Sequence, residues 1–447
     1  MTSAPAPTSM TDWNRKAERV RAALPQGGLF AEKAWRLSPE PFVLSAAELR
    51  QLEALGPVLL RFQRACDLLY RRSRGGSLPG WIADYLDRGK PGPLLETGLA
   101  NATLGETPRV IRPDLILTPD GFSATELDSV PGGIGLTAWL GEVYASLDPS
   151  HRIVGGVRGM VDGFASIFAG GGADILVSHE ASGYRPEMEW LAVRLPGNPG
   201  DWRVAEAETY APADREVYRF FELFDLPNLP SAAGLMAATA QGRMKVTAPF
   251  KPWLEEKLWS ALLWSHPLRE VWRRELRESN WRRLRDLFPQ SWVVDPAEVP
   301  HHAVIPGLEI GSFAELKRFT QKERELVLKL SGFDERAWGA RSVTVGQDVS
   351  QAEWGEAVDE ALAGFERSPY VLQRFHAGRI VVHPWWNEET GRIERMEGRV
   401  RLCPYYFVSA ADDRVSLGGV LATICPSDKK ILHGMRDAIL VPCRAGE

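Results

Sequence analysis

The stretch RPDLILTPDGFSATELD, residues 112–128, predicts two β-strands joined by a tight turn. In the turn Pro119-Asp120-Gly121, proline fixes its own φ and glycine accepts a positive φ. The following residues, SVPGGIG at 129–135, predict a flexible turn where backbone can approach a ligand closely. The sequence therefore predicts a hairpin that ends in a turn open to a ligand.

Three carboxylates are distributed over the two predicted strands. Asp114 lies on the first strand, and Glu126 and Asp128, two residues apart, project from one face of the second. Neighbouring anions repel each other unless a cation lies between them, and carboxylate oxygens suit Mg²⁺. Spacing alone leaves two interpretations open: a magnesium site, or a common hairpin with acidic residues on its solvated face.

The composition is that of a globular protein with a full hydrophobic core. The chain has 447 residues, of which 44% are hydrophobic and 25% charged, and this predicts two or three domains or one large α/β assembly. The formal net charge of −5 argues against a nucleic-acid-binding role. No apolar run approaches the ~20 residues of a membrane span. From the charge and the apolar pattern together, we expect neither nucleic acid nor a membrane as a partner.

The cysteines and the N-terminus indicate a cellular location. The four cysteines form no Cys-x-x-Cys pair, so neither a zinc knuckle nor a redox motif is indicated. Residues 1–10 are rich in Pro, Ala, Ser and Thr without a hydrophobic signal core, which predicts a disordered tail. A reducing cytoplasm is the simplest expected location.

The remaining sequence predicts a mixture of helices and strands. Helical spacing dominates residues 11–100, and residues 173–205 predict a strand–helix–strand unit of the βαβ type. Residues 253–288 predict a long helical region that Pro267 breaks in two, and Ser312 caps a helix predicted to reach residue 320. Further strands are expected at 325–330, 370–375, 399–406, 415–425 and 439–441, and a further helix at 351–365.

A lysine at the end of an apolar strand is the second chemical signal. Burying a lysine is costly unless an anion pairs with it, and the glycine-containing loop that follows can turn backbone N–H groups toward a phosphate chain. The alternative is an edge-strand lysine before an ordinary loop. The lysine is Lys329 in the run LVLKL, and the loop, called here the glycine loop, is residues 331–343, with Ser331, Gly332, Gly339 and Arg341.

Two further segments carry weaker signals. Lys257 lies in a predicted amphipathic helix, WLEEKLW, where a surface lysine paired with glutamates is the simpler interpretation. Residues 370–375, YVLQRF, predict an apolar strand whose exposed edge could recognise a purine ring through backbone N–H and C=O groups. A plain buried strand is the more common structure for such a segment.

Taken together, these segments resemble the circularly permuted ATP-grasp ligases, which include glutathionylspermidine synthase-like amide ligases. The Arg-x-Asp of the first hairpin strand and the Glu-x-Asp of the second match the metal-binding hairpin of that group. The family more often has Asn where this chain has Asp128. In ordinary ATP-grasp chains the metal carboxylates follow the nucleotide lysines, whereas here they precede them, as circular permutation implies.

The resemblance implies a role for each candidate residue. Asp114, Glu126 and Asp128 would bind Mg²⁺, and Arg112 and Arg341 would act in catalysis. Lys257 would be the first nucleotide lysine, with Lys251 or an arginine near residues 279–282 as alternatives. The other residues implied to bind ATP are Lys329, Ser331, Gly332, Gly339, Tyr370, Leu372, Gln373 and Arg401, and the Leu417-Gly418-Gly419 strand is placed near the phosphates.

The resemblance also implies an α+β, circularly permuted ATP-grasp fold with a small α/β unit and an N-terminal helical segment. Its expected divisions are a helical region at 11–107, a metal-binding hairpin at 108–150, a small substrate-side α/β domain at 151–250 and a nucleotide-binding part at 251–447. Residues 179–187 predict a loop that could form an acceptor pocket, although ordinary solvated loop residues have the same pattern.

The implied activity is an ATP- and Mg²⁺-dependent carboxylate–amine ligase that works through an acyl phosphate and releases ADP and phosphate. Its partners would be a small-molecule or peptide carboxylate and an amine, whose identities the sequence leaves open, as it does the oligomeric state. Two alternatives also stay open: a catalytically silent nucleotide-binding or interaction protein, and a phosphotransferase built on the same fold.

Overall fold

The computed structural model describes residues 10–25, 34–337, 341–434 and 436–446, which form a mixed α+β structure. The expected disordered tail therefore lies outside the described residues except for Met10, which begins the first helix. The helices are α1 Met10–Ala23, α2 Ala46–Arg74, α3 Trp81–Asp87, α4 Gly92–Leu99, α5 Ile134–Leu147, α6 Gly159–Ser166, α7 Arg185–Ala192, α8 Ala232–Ala240, α9 Leu258–Trp264, α10 Arg269–Leu276, α11 Glu278–Leu287 and α12 Gln351–Ala363.

The strands fall into three sheets within the described ranges. They are β1 Phe42–Leu44, β2 Val110–Thr118, β3 Gly121–Asp128, β4 Ala173–Val177, β5 Trp202–Glu206, β6 Val217–Phe220, β7 Val246–Thr247, β8 Ser291–Val293, β9 Leu326–Leu330, β10 Val343–Val345, β11 Tyr370–Arg374, β12 Ile380–Asn387, β13 Arg392–Val408, β14 Val415–Pro426 and β15 Ile439–Ala445.

The first sheet contains the hairpin and has the order β1-β15-β14-β13-β2-β3, with β12 also paired to β13. The hairpin prediction is confirmed, because β2 and β3 pair antiparallel with Arg112 opposite Asp128 and Asp114 opposite Glu126. Residues directly opposite each other on antiparallel strands project from the same face. The register therefore places these four charged side chains together on one face at the β2–β3 end of the sheet.

The second sheet, in the order β10-β9-β11-β8, is antiparallel and carries Lys329 on β9. Strand β11 lies between β9 and β8, with residues 371–373 paired on both sides. The exposed edge predicted for residues 370–373 is therefore wrong, and the alternative of a plain buried strand holds there. The ladder on each side occupies the backbone groups that a purine would need.

The third sheet is parallel and has the order β5-β4-β6-β7. Helix α7 connects β4 to β5, so the strand–helix–strand prediction for residues 173–205 is confirmed. All residues of β4 are buried, as expected for a strand with a neighbour on either side.

The N-terminal helices pack directly against the first sheet. Ser45 caps the N-terminus of helix α2, and its side chain forms a capping box with Glu48. At Gly56 the helix approaches β13 so closely that an added Cβ would lie 2.7 Å from Cδ1 of Tyr406. The hydroxyl of Tyr406 also donates to the carbonyl oxygen of Leu52 at 2.7 Å. Helix α2 and the sheet therefore share one hydrophobic core.

Two helix predictions need correction. The break expected at Pro267 is present between α9 and α10, but a second break occurs at Arg277, where φ is +65°. The helix expected from Ser312 is a short 3₁₀ helix, Phe313–Arg318, with the predicted serine in a capping box. Among the described residues, no helix combines the length and the apolar character that crossing a membrane requires.

Candidate functional site

One cavity of about 660 Å³ lies between the hairpin face and the second sheet, and we call it the main cavity. Most of the predicted site residues line it, although they come from distant parts of the chain. They are Arg112, Asp114, Glu126, Asp128, Lys257, Lys329, Gly332, Gln373 and Arg401. The fold therefore brings the two predicted halves of the site, carboxylates and lysines, to a single space.

Arginines bridge the hairpin carboxylates. Nε of Arg112 lies 3.0 Å from Oδ1 of Asp114, and its Nη2 lies 2.9 Å from Oδ2 of Asp128. From the neighbouring strand, Nη1 of Arg401 lies 2.9 Å from Oδ2 of Asp114. Burial alone would raise the pKa of Asp114, but the two arginine charges outweigh it and the pKa is lowered. Asp114 is thus an ionised, tightly held side chain.

The carboxylates do not form a metal-binding cluster in the described part of the chain, where no group of three His, Cys, Asp or Glu residues has that arrangement. Arg112 occupies the space between Asp114 and Asp128, and Glu126, 40% exposed, lies 3.8 Å from Nζ of Lys257. The magnesium assignment therefore stays a prediction. In favour of it, the hairpin supplies the hard oxygen donors that Mg²⁺ prefers.

A further set of carboxylates enlarges the acidic side of the main cavity. Glu222 and Glu255 line it beside Asp128. Burial and its acidic neighbours Glu255 and Asp128 raise the pKa of Glu222 well above its usual value. Burial also raises the pKa of Asp128, and the charge of Glu126 adds to this, although Arg112 opposes both. Arg219 forms a salt bridge with Glu255, and the raised pKa of Glu222 favours its neutral form, so the acidic groups on this side of the cavity are partly neutralised.

Lys329 faces the carboxylates from β9. Its Nζ donates to the carbonyl oxygen of Thr125 at 3.1 Å and to Oε1 of Gln373 at 2.6 Å. Burial and the nearby charge of Lys257 lower the pKa of Lys329 to about 8, although Glu126 opposes this shift. Burial disfavours the charged form of Lys329, and a bound anion would stabilise that form. Lys329 is therefore suited to bind an anion.

Lys257 reaches the main cavity from a different local structure than predicted. It lies directly before α9 rather than inside a helix, after a 3₁₀ turn at Pro252–Glu255. Its Nζ donates to the carbonyl oxygen of Ala337 in the glycine loop at 3.3 Å. Of the alternatives, Lys251 is fully buried against Asp67 outside the main cavity, and Arg282 is exposed and paired with Glu278.

The glycine loop approaches the segment before Lys257 very closely. A Cβ added at Gly332 would lie 2.1 Å from the carbonyl oxygen of Glu255, so no side chain fits there. Ser331 is buried away from the main cavity, and its Oγ donates to Glu256. Arg341 is exposed, and the lining of the cavity contains its neighbour Ser342 instead. Gly339 lies outside the described residues.

The segment predicted to contact adenine, residues 370–373, lines the main cavity only at Gln373. Leu372 is in the hydrophobic core of the second sheet, and the Tyr370 hydroxyl donates to Glu360 at 3.0 Å, so neither side chain reaches the main cavity. The cavity lining continues instead from Gln373 through Arg374 and Phe375 to His376. Of the residues predicted for this segment, Gln373 therefore lines the cavity, and Tyr370 and Leu372 do not.

Strand β13 contributes Arg401, which the resemblance implies as a site residue, and two lining residues, Cys403 and Tyr405, that the sequence did not single out. Arg399, Arg401, Cys403 and Tyr405 all line the main cavity, and their spacing of two was the available signal. The Tyr405 hydroxyl donates to the carbonyl oxygen of Gly132 at 2.7 Å, which fixes the turn after the hairpin. Tyr184, from the loop considered as an acceptor pocket, lines the same region.

The Leu417-Gly418-Gly419 segment does not lie at the main cavity. A Cβ added at Gly155 would lie 1.9 Å from the carbonyl oxygen of Gly418, and one added at Gly159 would lie 2.5 Å from the same atom. These glycines allow close packing of residues 155–159 on β14. The expectation that this segment lies near the phosphates is therefore corrected.

Comparison with known proteins gives a fold relationship. No family model matches the chain, and no curated protein matches it. Among solved structures, a glutathione synthetase-like effector from Globodera pallida, in apo form, is similar over 97% of each chain with 10% sequence identity and a TM-score of 0.51. A putative gamma-glutamylcysteine synthetase from Methylobacillus flagellatus matches over 85% of this chain and 86% of its own, with 11% identity and a TM-score of 0.35. At this identity the first comparison shows a likeness of overall fold, a mixed α+β architecture, between the chain and the effector.

Proposed function

We propose that the chain is an ATP- and Mg²⁺-dependent carboxylate–amine ligase that activates its carboxylate substrate as an acyl phosphate. The observation that carries this proposal is the main cavity, in which Lys257, Lys329 and Gly332 face Asp114 and Glu126. Phosphoryl transfer needs little beyond positioning and charge neutralisation, and this set of side chains can supply both. The fold relationship supports a ligase of this general type.

In the proposed reaction, a substrate carboxylate attacks the γ-phosphoryl group of ATP, and ADP leaves. An amine then attacks the acyl phosphate, forms the amide and releases phosphate. Lys257 and Lys329 neutralise the triphosphate, and the fork of Arg112 positions the carboxylate or the transferring phosphoryl group. Arg401 holds Asp114 in place, and Arg341, which is exposed, would neutralise phosphate charge.

Magnesium fits the donor set of the hairpin. Asp114, Glu126 and Asp128 would hold it once Arg112 leaves the space between Asp114 and Asp128, and it would neutralise charge on the β- and γ-phosphates. Burial and the charge of Glu126 raise the pKa of Asp128 although Arg112 opposes them, so a further cation would stabilise its ionised form.

We further propose that the chain is circularly permuted relative to ordinary ATP-grasp proteins. The hairpin with the carboxylates, β2 and β3, precedes both lysines in sequence, and yet all of them line the same cavity. In the unpermuted order the carboxylates would follow the lysines. The order of elements thus supports permutation independently of the substrates.

The proposal is tested with Lys329→Ala and Glu126→Ala. Both variants are expected to abolish ATP turnover in the presence of carboxylate and amine mixtures while circular dichroism spectra and unfolding midpoints stay close to those of the parent protein. Tight binding of MgATP to either variant in calorimetry would contradict the assignment. A phosphorylated product without an amide would favour the phosphotransferase alternative. Nucleotide binding without ADP formation would favour the catalytically silent protein.

A further inference from the structure

A buried ion pair connects three separate parts of the chain behind the glycine loop. Lys90 lies between α3 and α4, and its Nζ forms a salt bridge with Glu256, whose side chain is 2% exposed against 1% for Lys90. The Glu256 carboxylate also accepts hydrogen bonds from Oγ of Ser331 and, at 3.0 Å, from the backbone N–H of Gly332. A single carboxylate thus joins the N-terminal helices to the first turn of the glycine loop.

The buried carboxylate of Glu256 stays charged because Lys90, Gly332 and Ser331 all contact it. Burial raises the pKa of Glu256, but the charge of Lys90 and the hydrogen bonds from Gly332 and Ser331 outweigh burial and lower it. A buried charge that loses one of its partners is strongly unfavourable. The position of the loop backbone is therefore coupled to the presence of the lysine.

The surrounding backbone leaves little freedom for this arrangement to shift. The backbone N–H of Leu258 donates to Oγ of Ser331 at 3.3 Å, so the first turn of the loop is held from the start of α9 as well. On the other side of the pair, Gly89 has φ of +69°, and a Cβ there would lie 2.1 Å from the carbonyl oxygen of Arg367. Lys90 is consequently presented to Glu256 from a closely packed turn.

We infer that Lys90 and Glu256 are positioning residues that fix the first turn of the glycine loop relative to Lys257 and Lys329, and so set the affinity for the triphosphate. Neither residue of the pair lines the main cavity as described, and both act through the loop. Glu256 directly precedes Lys257, and Ser331 follows Lys329 by two residues. The inference rests on the proposed nucleotide-binding function.

The chain contains a matched control for this pair. Lys251 is fully buried, and its Nζ lies 3.1 Å from Oδ1 of Asp67, which also accepts from Nε1 of Trp253. Lys251→Met therefore removes a buried lysine from a paired carboxylate, as Lys90→Met does. The Lys251–Asp67 pair, however, is not connected to the described residues of the glycine loop. Asp67 keeps a second cation, because Nε of Arg71 lies 3.0 Å from its Oδ2, so the unfolding midpoints of both variants are measured to separate a loss of stability from a loss of binding.

The test measures binding of a non-hydrolysable ATP analogue with Mg²⁺ by calorimetry. Lys90→Met is expected to weaken binding by about tenfold to a hundredfold, because misplacement by about 1 Å can cost that much. Lys251→Met is expected to bind like the parent protein. Ser331→Ala, which creates no unpaired charge and should fold readily, is expected to weaken binding in the same direction but less.

Hydrogen exchange supplies a readout that does not depend on nucleotide. A peptide covering residues 326–337 is expected to exchange faster in Lys90→Met than in Lys251→Met, because Gly332 loses its fixed acceptor. Equal binding and equal exchange in Lys90→Met, Ser331→Ala and the parent protein would overturn the inference. If the parent protein itself fails to bind the analogue, the proposed function fails, whereas the exchange experiment still tests the contact between the pair and the loop.

Discussion

Lys329 shows at the scale of one residue how burial prepares a side chain for an anion. Its pKa is lowered to about 8 by burial and by the charge of Lys257, although Glu126 pulls in the opposite direction. Sequence alone predicted that this lysine needs an anionic partner, because it ends an apolar strand. What sequence could not show is that Gln373 and the Thr125 carbonyl hold it in the absence of a ligand.

The first prediction concerns the pH dependence of ATP binding. A bound triphosphate favours protonated Lys329, so above pH 8 binding must be accompanied by uptake of a proton. We expect the dissociation constant for MgATP to rise between pH 8 and 9, by up to about tenfold for this one group. Lys329→Arg should show a flatter profile, because guanidinium does not titrate there. A profile in the parent protein as flat as that of the arginine variant would contradict this role.

The second prediction separates two carboxylates of the hairpin by their surroundings. Asp114 is buried between Arg112 and Arg401, so Asp114→Asn should lower the free energy of unfolding by about 3 kcal/mol. Glu126 is 40% exposed, and Glu126→Gln should change it by less than about 0.5 kcal/mol. Urea unfolding of both variants measures the difference. Equal losses would show that the arginine bridges do not stabilise the hairpin face.

At the scale of elements, local patterns predicted most strands and helices but not their neighbours. The hairpin was predictable because Pro119 and Gly121 fix its turn and the register follows from it. The central position of β11 was not predictable, because an apolar run fits both an edge strand and a central strand. Only the pairing with β8 decides between them. On β13 the resemblance already implied Arg401, whereas Cys403 and Tyr405 follow at the same spacing of two without any recognised chemistry.

The third prediction concerns the glycine loop as an element. Gly332→Ala places a Cβ 2.1 Å from the carbonyl oxygen of Glu255, so the loop must move and MgATP should bind at least about tenfold more weakly. Gly355→Ala on α12 is the control, since nothing lies within 4 Å of the added Cβ. That change should leave binding intact and stabilise the helix by up to about 1 kcal/mol. Unchanged affinity in Gly332→Ala would argue that the loop does not contact the nucleotide.

At the scale of the whole molecule, the N-terminal helices belong to the structure that forms the site. Helix α2 packs on β13 at Gly56, and Lys90 reaches the glycine loop through Glu256. The sequence predicted helices here but could not predict their docking, since an amphipathic pattern does not identify the surface that it covers. The corresponding expectation of a separate helical region at residues 11–107 is best tested by a packing substitution.

The fourth prediction is that Gly56→Val destabilises the helices and the first sheet together. A side chain at Gly56 would overlap Tyr406, and overpacking of this kind costs about 1 to 3 kcal/mol. We expect the urea midpoints followed by tryptophan fluorescence and by circular dichroism to fall by the same amount. Separate transitions, with only one of them shifted, would indicate that the helical region folds independently of the sheet.

The central claim is that ATP activates a substrate carboxylate for attack by an amine. The most direct measurement supplies ATP, Mg²⁺, a mixture of amino acids and short peptides with ¹⁸O in their carboxyl groups, and a mixture of amines, and then determines the mass of the released phosphate. We predict that one ¹⁸O atom passes from the carboxylate into each phosphate as an amide forms. Amide formation with unlabelled phosphate, or a stable phosphorylated product without any amide, would contradict the claim.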